Sequence, residues 1–267
     1  METTMDVTPV PDYAGLTRLD GKVFVVIGGG QGIGRQVSHA LAQSGARVVV
    51  VDAVGERAAA VATEVDGASM VADVTVAAQV EGLFDGVVAS EGRVDGVVDI
   101  VGISRFLTIE ETTEEDWDRL QTINLKQGFL VIKAAGRVMR AGSGGSIVMI
   151  SSISGVDASQ RHSAYGAAKA ALISLVKSAA VEYGPYGIRV NSVAPGVIWT
   201  DRIGGAIGDH RRAEWTAGTP TGRLGESSDI ASSVLFFASA LSQHVNGQTL
   251  VVDGGRKIRF EYPIEAI

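Results

Sequence analysis

The stretch VFVVIGGGQGIGRQ, residues 23–36, decides the fold of this chain. Its β-branched opening predicts a buried strand, and Gly28, Gly32 and Gly34 follow that strand without a spacer. The next segment, RQVSHALAQSG, predicts a helix that ends at Gly45. Glycines at such a turn let backbone N–H groups approach an anionic phosphate, which the start of a helix also favours. A tight turn without a ligand is the alternative interpretation.

The composition is that of a folded, acidic protein. Of the 267 residues, 46% are hydrophobic and 20% are charged, and the net charge is −7. This charge argues against a nucleic-acid partner and against binding to an anionic membrane. The chain has no cysteine, which excludes disulfides and thiolate metal sites, and we expect no metal. The first 20 residues do not resemble a secretion signal, and no apolar run reaches a spanning length, so the expected location is cytoplasmic.

Strand and helix patterns alternate along the chain. This alternation predicts an α/β fold, a Rossmann-type doubly wound parallel sheet of about seven strands with helices on both faces, in a single domain. We expect an extended arm at 1–19, the domain at 20–255 and a tail at 256–267. One helix begins in the capping-box pattern of residues 112–115, and another covers 163–183. The predicted strands are 23–27, 47–52, 68–72, 97–101, 146–150, 188–193 and 249–253.

The second strand ends in Asp52, 18 residues after Gly34. A carboxylate at this position can accept hydrogen bonds from ribose hydroxyls and repels a 2′-phosphate. Gln31 and Ala53 supply no cation that would neutralise such a phosphate. The residues therefore predict NAD rather than NADP as the cofactor, with a plain strand-end acid as the alternative role for Asp52. Arg35 and Arg57 are interpreted as solvated helix-surface residues.

A second informative stretch is HSAYGAAKAAL, residues 162–172. Tyr165 and Lys169 are four residues apart, which places them on one face of a helix. A nearby ammonium favours the phenolate and lowers the pKa of the tyrosine, which suits it to act as an acid or base. Ser152 precedes Tyr165 by 13 residues, and its hydroxyl can hold a substrate oxygen. The alternative is an ordinary helix face and a turn serine.

Together, Gly-x-x-x-Gly-x-Gly and Tyr-x-x-x-Lys resemble the short-chain dehydrogenase/reductase family. The resemblance covers about residues 20–255. Further motifs in the same order carry it: Asp73-Val74, Asn124 in INLKQGF, Ser151-Ser152, Pro195-Gly196 with Thr200, Asn246-Gly247-Gln248 and Val252-Asp253-Gly254-Gly255.

The resemblance implies roles for individual residues. The implied catalytic residues are Asn124, Ser152, Tyr165 and Lys169, with Ser152 rather than Ser151 at the matching position. Asn124 would support a water-mediated proton relay through Lys169, and Lys169 would also bind the nicotinamide ribose. Asp73-Val74 would line the adenine pocket, and Thr200 would contact the carboxamide. The expected cofactor-binding residues are Gly28, Gln31, Gly32, Ile33, Gly34, Asp52, Asp73, Val74, Gly102, Tyr165, Lys169, Pro195, Gly196, Ile198 and Thr200.

Several of these positions have structural alternatives. Asn124 could interrupt its helix and bond only backbone, Pro195-Gly196 could form only a turn, and Asp73-Val74 could only end a strand. The chain also departs from the family pattern at two places. Ile27 stands where threonine is usual, and Asp99-Ile100-Val101-Gly102 replaces Asn-Asn-Ala-Gly. These changes are expected to alter hydrogen bonding around the central strands.

The segment 197–220 is predicted to form a mobile lid. Substrate contacts are expected from Ser152, Tyr165 and Trp199, with further apolar cover from Ile203, Ile207 and Trp215. His162 is interpreted as a solvent-exposed loop residue rather than a metal or triad member. Arg202, Arg211 and Arg212, with His210, are interpreted as solvated surface, the alternative being a site for an anionic substrate group.

The sequence thus predicts an NAD-dependent oxidoreductase that interconverts a secondary alcohol and a ketone, with Tyr165 as general acid/base. Its partners are expected to be a small alcohol or ketone and further copies of the chain, since the family commonly forms a homotetramer, or else a homodimer. An NADPH-dependent oxoacyl or ketone reductase is the nearest alternative. A non-catalytic dinucleotide-sensing protein is the alternative from another class.

Overall fold

The computed structural model describes residues 8–200, 203–204 and 209–258. Strands and helices alternate along this part of the chain. The strands are β1 (Val23–Ile27), β2 (Arg47–Asp52), β3 (Ala68–Val71), β4 (Gly96–Asp99), β5 (Gly145–Ile150), β6 (Ile188–Pro195) and β7 (Thr249–Val252). The α-helices are α1 (Gly32–Gln43), α2 (Gly55–Glu64), α3 (Ala77–Glu91), α4 (Glu114–Gln121), α5 (Gln127–Arg140), α6 (Ile153–Val156), α7 (Ser163–Tyr183), α8 (Asp209–Ala217) and α9 (Ser227–Ala238).

The strands form one parallel sheet in the order β3-β2-β1-β4-β5-β6-β7. The prediction of a doubly wound sheet of about seven strands is confirmed. Because the chain crosses over between β3 and β4, the carboxyl ends of β1 and β4 lie side by side at the point where the strand order reverses. Ligands of open α/β sheets bind at this kind of switch point.

Helices cover both faces of the sheet, as the apolar strands predict. On one face α3, α5 and α7 pack on the sheet through side chains such as Phe84 and Leu172. On the other face α1, α2 and α9 do so through side chains such as Leu41 and Phe237. The central strands β1 and β4 are buried along their whole length.

Several strand ends differ by one or two residues from the sequence predictions, and two element boundaries have an evident physical cause. Strand β4 ends at Asp99 rather than at residue 101, because the Asp99 carboxylate accepts the Val101 N–H at 3.0 Å and turns the chain. Helix α4 is capped by Thr113, whose hydroxyl accepts the Asp116 N–H, so the pattern of residues 112–115 is displaced by one position. A full capping box is present instead at α9, between Glu226 and Asp229.

The described parts of the terminal segments lie on the domain. The arm expected to be extended contains a short 3-10 helix, Gly15–Thr17, and ends in the buried Leu19. The tail begins with a 3-10 helix, Arg256–Ile258, in which the Arg256 side chain donates to the Trp215 carbonyl at 2.9 Å.

Helix α7 passes a length and composition test for a membrane span, with a mean hydropathy of 1.2 over Ser163–Tyr186. Leu172 and Val176 on this helix are fully buried against the sheet. One side of this helix is therefore packed inside the domain.

Candidate active site

The glycine turn between β1 and α1 is shaped to receive a phosphate. Gly28 has φ +78° and Gly32 has φ +53°, both in the left-handed region that favours glycine. A Cβ on Gly34 would lie 2.0 Å from the Gly28 carbonyl oxygen. Helix α1 begins at Gly32, with the exposed Gln31 as its N-cap and Ile33 partly buried in the first turn. Nothing lies within 4 Å of the position that a Cβ on Gly32 would take, so there is room for a pyrophosphate beside the first N–H groups of α1.

Asp52 is fixed beside this turn. One carboxylate oxygen accepts the Gly30 N–H at 3.2 Å and the other accepts the Val54 N–H at 3.0 Å. A Cβ on Gly30 would lie 2.7 Å both from this carboxylate and from the Cβ of Arg57. Arg57 is exposed, as the sequence predicts, but the base of its side chain lies against the turn.

A cavity of about 1030 Å³ continues from the end of β2 toward α4. Asp73 lies on its wall and accepts the hydroxyl of Thr75 at 2.6 Å and the Thr75 N–H at 2.9 Å, contacts that hold the pKa of Asp73 below its usual range. Asp73 therefore organises the turn that leads to α3, and Val74 is buried in the core. Strand β3 ends at Val71, so the two residues follow the strand rather than end it, and Asp73 borders the cavity.

Lys169 is 2% exposed, and its Nζ donates to the Ile150 carbonyl oxygen at 2.8 Å. The same Nζ lies 5.9 Å from the centre of the Tyr165 ring, one helical turn away. Burial lowers the pKa of Lys169 to about 8, although the negative charge of Asp99 opposes the shift. The predicted pair, Tyr165 and Lys169, therefore lies together, and the Lys169 ammonium is bonded to the last residue of β5.

Asn124 is fully buried within a π-helical turn, Thr122–Lys126, between α4 and α5. Its amide donates to the Ile103 and Leu120 carbonyls, and its Oδ1 accepts the Ile103 N–H. A Cβ on Gly102 would lie 2.9 Å from the Asn124 oxygen and 3.1 Å from Lys169 Nζ. Asn124 thus interrupts its helix and bonds to the backbone, which is the structural role given above as the alternative. It also lies on the other side of Gly102 from Lys169.

The two serines after β5 have different surroundings. The Ser151 hydroxyl donates to the Val193 carbonyl at 3.0 Å, so it belongs to the sheet edge. Ser152 is the N-cap of the short helix α6, and its Oγ accepts the Ser154 N–H at 3.1 Å. Ser152 therefore uses its oxygen, and not its hydroxyl hydrogen, in this cap.

The interpretation of His162 as a solvent-exposed loop residue is wrong. Its ring stacks on Phe106 with centroids 4.5 Å apart and lies 5.2 Å from the Tyr165 ring. Its Nδ1 lies 3.1 Å from the Ser154 hydroxyl, and burial lowers the pKa of the imidazole. The sequence signal that could have indicated this position is its distance of three residues from Tyr165, which places both on one side of the first turn of α7.

The segment after β6 borders the same end of the sheet. Gly196 is close to β7, because a Cβ there would lie 2.6 Å from the Cβ of Asp253. Ile198 is buried and pairs with Gly225, whose carbonyl accepts the Trp199 N–H at 2.8 Å. Thr200 is partly buried, and Pro195 ends β6.

The predicted lid is described only in part. Residues 209–217 form α8, and the guanidinium of Arg212 lies 4.8 Å from the Trp199 ring, so Arg212 is exposed but not simply solvated. Arg211 is exposed. Arg202, Ile207 and the side chain of His210 lie outside the described residues. Within the described part of the chain, no group of three His, Asp or Glu side chains could hold a metal ion.

Fold and site together define an oxidoreductase of the alcohol dehydrogenase and ketoreductase kind, built on a nicotinamide-dinucleotide fold. A family profile described as enoyl-(acyl carrier protein) reductase matches residues 28–257. The chain belongs to the short-chain dehydrogenase/reductase family.

Individual relatives span nearly the whole chain. It is 37% identical over 248 residues to a D-threitol dehydrogenase of Mycolicibacterium smegmatis, which covers 91% of this chain and 95% of the relative. It is 37% identical over 239 residues to the 3-oxoacyl-[acyl-carrier-protein] reductase FabG of Escherichia coli, covering 88% and 97%. A crystal structure of a gluconate 5-dehydrogenase from Burkholderia cenocepacia, in complex with NADP and tartrate, matches with a TM-score of 0.88 and 33% identity, covering 92% and 99%.

Proposed function

We propose that this protein is an NAD-dependent dehydrogenase that interconverts a secondary alcohol and a ketone, with Tyr165 as the general acid/base. The observation that carries the proposal is the placement of the buried Lys169 ammonium, held by the Ile150 carbonyl, 5.9 Å from the Tyr165 ring and across Gly102 from Asn124. A buried lysine without a function would be costly, because an ammonium loses its hydration on burial.

The proposed chemistry assigns one task to each side chain. The Ser152 hydroxyl holds the substrate oxygen, and the Tyr165 phenolate accepts the proton of that oxygen during oxidation, while the phenol returns it during reduction. The Lys169 ammonium favours the phenolate of Tyr165 and lowers its pKa. Asn124 keeps Ile103 and the chain beside Gly102 in place, next to Lys169. When bound, the nicotinamide accepts or supplies the hydride.

The remaining predicted contacts position the cofactor. The turn from Gly28 to Gly34 would hold the pyrophosphate, and Asp52 would hold the adenosine ribose. The segment from Pro195 to Thr200 would border the nicotinamide, with Trp199 over the substrate. These assignments are supported by the location of all three segments at the carboxyl ends of β1, β2 and β6, where the sheet opens.

The preference for NAD is supported by the fixed carboxylate of Asp52. A ribose 2′-phosphate at this position would meet a negative charge already held by two backbone N–H groups. Arg57 is the residue that could favour NADP instead, because the base of its side chain lies beside Gly30. The structural relative solved with NADP makes a direct comparison necessary. Equal kcat/KM values for the two cofactors would overturn the preference.

The substrate class we propose is a small secondary alcohol with further oxygen groups. Two similar proteins are named for threitol and gluconate, and both molecules carry several oxygens. Around Tyr165, Ser152 and His162 provide polar groups for such a molecule. Reduction of an oxoacyl thioester remains the alternative that the similarity to FabG favours.

The decisive experiment measures nicotinamide absorbance with the purified full chain. The panel contains polyols, sugar acids, cyclic and steroid alcohols, and an oxoacyl thioester, each with both cofactors. The Tyr165→Phe variant is expected to lose about 100-fold or more of kcat while it still binds dinucleotide. Binding without turnover of any compound, and no effect of the variant, would favour the non-catalytic sensing protein.

Assembly and location are further parts of the proposal. We expect a homotetramer, or else a homodimer, in the cytoplasm. Two large side chains on the α5 and α7 side support an assembly, since Phe129 is 47% and Val181 is 78% exposed. Light scattering on the purified protein measures the mass of the assembly, and a monomer at micromolar concentration would contradict it.

A further inference from the structure

Asp99 is a buried acid that the chemistry described so far does not use. It is the last residue of β4, is 1% exposed, and lies on the face of the sheet that α5 and α7 cover. One of its oxygens accepts the Val101 N–H at 3.0 Å. The other oxygen is buried and has no partner within hydrogen-bond distance in the described structure, although the Gln127 side chain lies near enough to help lower the pKa of Asp99. An unpaired buried carboxylate oxygen is expensive, so its retention calls for an electrostatic explanation.

The surroundings of Asp99 within the sheet and α5 are uncharged. Ile27 of β1 and Met149 of β5 are its partners in the strand pairing. Gln127 of α5 is 1% exposed, and its own side-chain oxygen is also without a partner. The titratable side chains on the covering helix α7 are Tyr165, Lys169, Lys177, Glu182 and Tyr183, and among them Lys169 is the one whose charge acts on Asp99. The Lys169 Nζ bonds to the carbonyl of Ile150, the residue after Met149 on β5, so its positive charge lies at the same end of the sheet as Asp99 and is the opposite charge that acts on this acid.

Lys169 is a buried positive charge that calls for a negative charge nearby. Its Nζ donates to one neutral acceptor, the Ile150 carbonyl, and its charge is removed from water. Removing an ammonium from water costs several kcal/mol unless an opposite charge compensates it. The acid that compensates it is Asp99, and each of the two charges favours the ionised form of the other.

The two departures from the family pattern explain why this acid is present here. Ile27 replaces the usual threonine and Asp99 replaces the usual asparagine, and the structure shows that these two positions are paired across β1 and β4. A hydroxyl and an amide are thus exchanged for a hydrocarbon and a carboxyl. The exchange removes a polar partner from β1 and leaves the carboxyl to interact with α7.

We propose that Asp99 is a positioning residue whose carboxylate is the counter-ion of Lys169, so that it acts on proton transfer by keeping this ammonium charged beside Tyr165. This inference rests on the proposed function for its effect on catalysis. The pairing itself does not, and it can be measured without any substrate.

The first experiment is a double-mutant cycle on unfolding, with Asp99→Asn, Lys169→Met and the double variant. Asparagine preserves the shape of Asp99 and can still accept the Val101 N–H. At neutral pH we expect the pair to be coupled by about tenfold in the unfolding equilibrium constant, and the coupling to vanish at about pH 4, where Asp99 is protonated. A coupling within error of zero at neutral pH would overturn the pairing.

The second experiment compares pH profiles of kcat for alcohol oxidation. In Asp99→Asn we expect the alkaline decline to move about 1 pH unit lower, because Lys169 loses its proton more easily without the counter-ion. The matched control is Asp95→Asn, which removes another buried acid of the same chain segment, at the far end of β4. It is expected to leave the profile in place.

The outcomes separate the two proposals. If the Asp99→Asn variant loses the same fraction of kcat at every pH, Asp99 has only a structural role. The proposed effect of Asp99 on proton transfer would then be wrong. A measured coupling in a protein that oxidises no alcohol supports the electrostatic pairing of Asp99 with Lys169 and counts against the proposed function.

Discussion

The Asn124 side chain is bonded in both directions to the main chain of Ile103. Its Nδ2 donates to the Ile103 carbonyl at 2.9 Å and its Oδ1 accepts the Ile103 N–H at 3.1 Å. Because Ile103 follows Gly102, these bonds fix the chain that passes between Asn124 and Lys169. The π-helical turn at Thr122–Lys126 turns the Asn124 side chain toward this chain, and such turns are frequent at functional sites.

Asn124→Ala is expected to lower the free energy of unfolding by about 2 kcal/mol, because the Ile103 N–H and C=O lose their partners in a buried place. Urea unfolding measures this loss. The control is Gln121→Ala, which removes one hydrogen bond, from Gln121 to the Ala164 carbonyl, and should cost about half as much. Equal losses of unfolding free energy for the two variants would show that the bonds from Asn124 to Ile103 stabilise the fold no more than one ordinary hydrogen bond does.

Gly102→Ala tests the close approach at the centre of the site. The added methyl would lie 2.9 Å from the Asn124 oxygen, which is held by its bonds to Ile103, so Lys169 or the loop must move. We expect kcat/KM to fall by about 10-fold to 100-fold, as a misplacement of about 1 Å does in other enzymes. Kinetics with the best substrate of the panel measure this.

The matched control for this prediction is Gly82→Ala, in the exposed middle of α3, where nothing lies within 4 Å of the added methyl. It should leave kcat/KM unchanged and raise the free energy of unfolding by about 0.8 kcal/mol. Unchanged kinetics in Gly102→Ala would show that the site tolerates a side chain there.

Asp52→Asn is expected to shift cofactor use toward NADP. The variant removes the charge that repels a 2′-phosphate, and its single amide oxygen can accept only one of the two N–H groups, those of Gly30 and Val54, that the carboxylate accepts. The ratio of kcat/KM for NADP to that for NAD should rise about 10-fold or more. The control Glu56→Gln removes an exposed charge in the first turn of α2 and should leave the ratio in place. An unchanged ratio in both variants would exclude Asp52 as the selecting residue.

Asp95 and Asp99 are expected to change the stability of the fold in opposite directions as pH falls, and Asp95→Asn tests this expectation for Asp95. Burial alone would raise the pKa of Asp95, but bonds from Arg93 and the Val23 N–H, with the charge of Lys22, hold it below its usual value. Its stabilising contribution is therefore complete above about pH 4 and is lost as pH falls through the lowered pKa. Burial raises the pKa of Asp99 to about 6, so the folded protein binds a proton there more readily than the unfolded chain does. At this residue, the free energy of unfolding therefore rises as pH falls through about 6.

Thermal unfolding across acid pH measures the difference. Asp95→Asn is expected to be less stable than the parent by about 1–3 kcal/mol at neutral pH, and the two should converge in acid. The exposed Asp85→Asn, which loses an ion pair with Arg137, serves as the control, because its loss should be small even at neutral pH. A constant gap for Asp95→Asn across the pH range would contradict the assignment.

Much of the fold could be predicted from the sequence, because β-branched runs and glycine turns are local signals. The helix containing Tyr165 and Lys169 begins and ends at the predicted residues. What could not be predicted depends on strand order. The pairing of Ile27 with Asp99 exists only because β4 lies beside β1, and no spacing in the sequence indicates that neighbour.

The candidate site shows the same division. Its glycines and the Tyr165–Lys169 spacing are local, whereas the stacking of His162 on Phe106 joins two loops that are distant in the chain. The π-helical turn at Asn124 also escapes sequence patterns, because α4 and α5 have ordinary helical composition on either side. The roles of the site residues remain predictions for the experiments above.

The position of β4 beside β1 also bears on how the chain folds. Val23, at the start of β1, bonds to Asp95, which is 72 residues further along the chain. During synthesis β1 can pair with β2 early, but its other edge stays open until β4 has emerged, and the sheet is then completed at β7, near the end. Such distant pairings make folding slow and expose an apolar edge in the meantime. We therefore expect substitutions in β1 to reduce the yield of folded protein more than their effect on the finished structure alone would suggest.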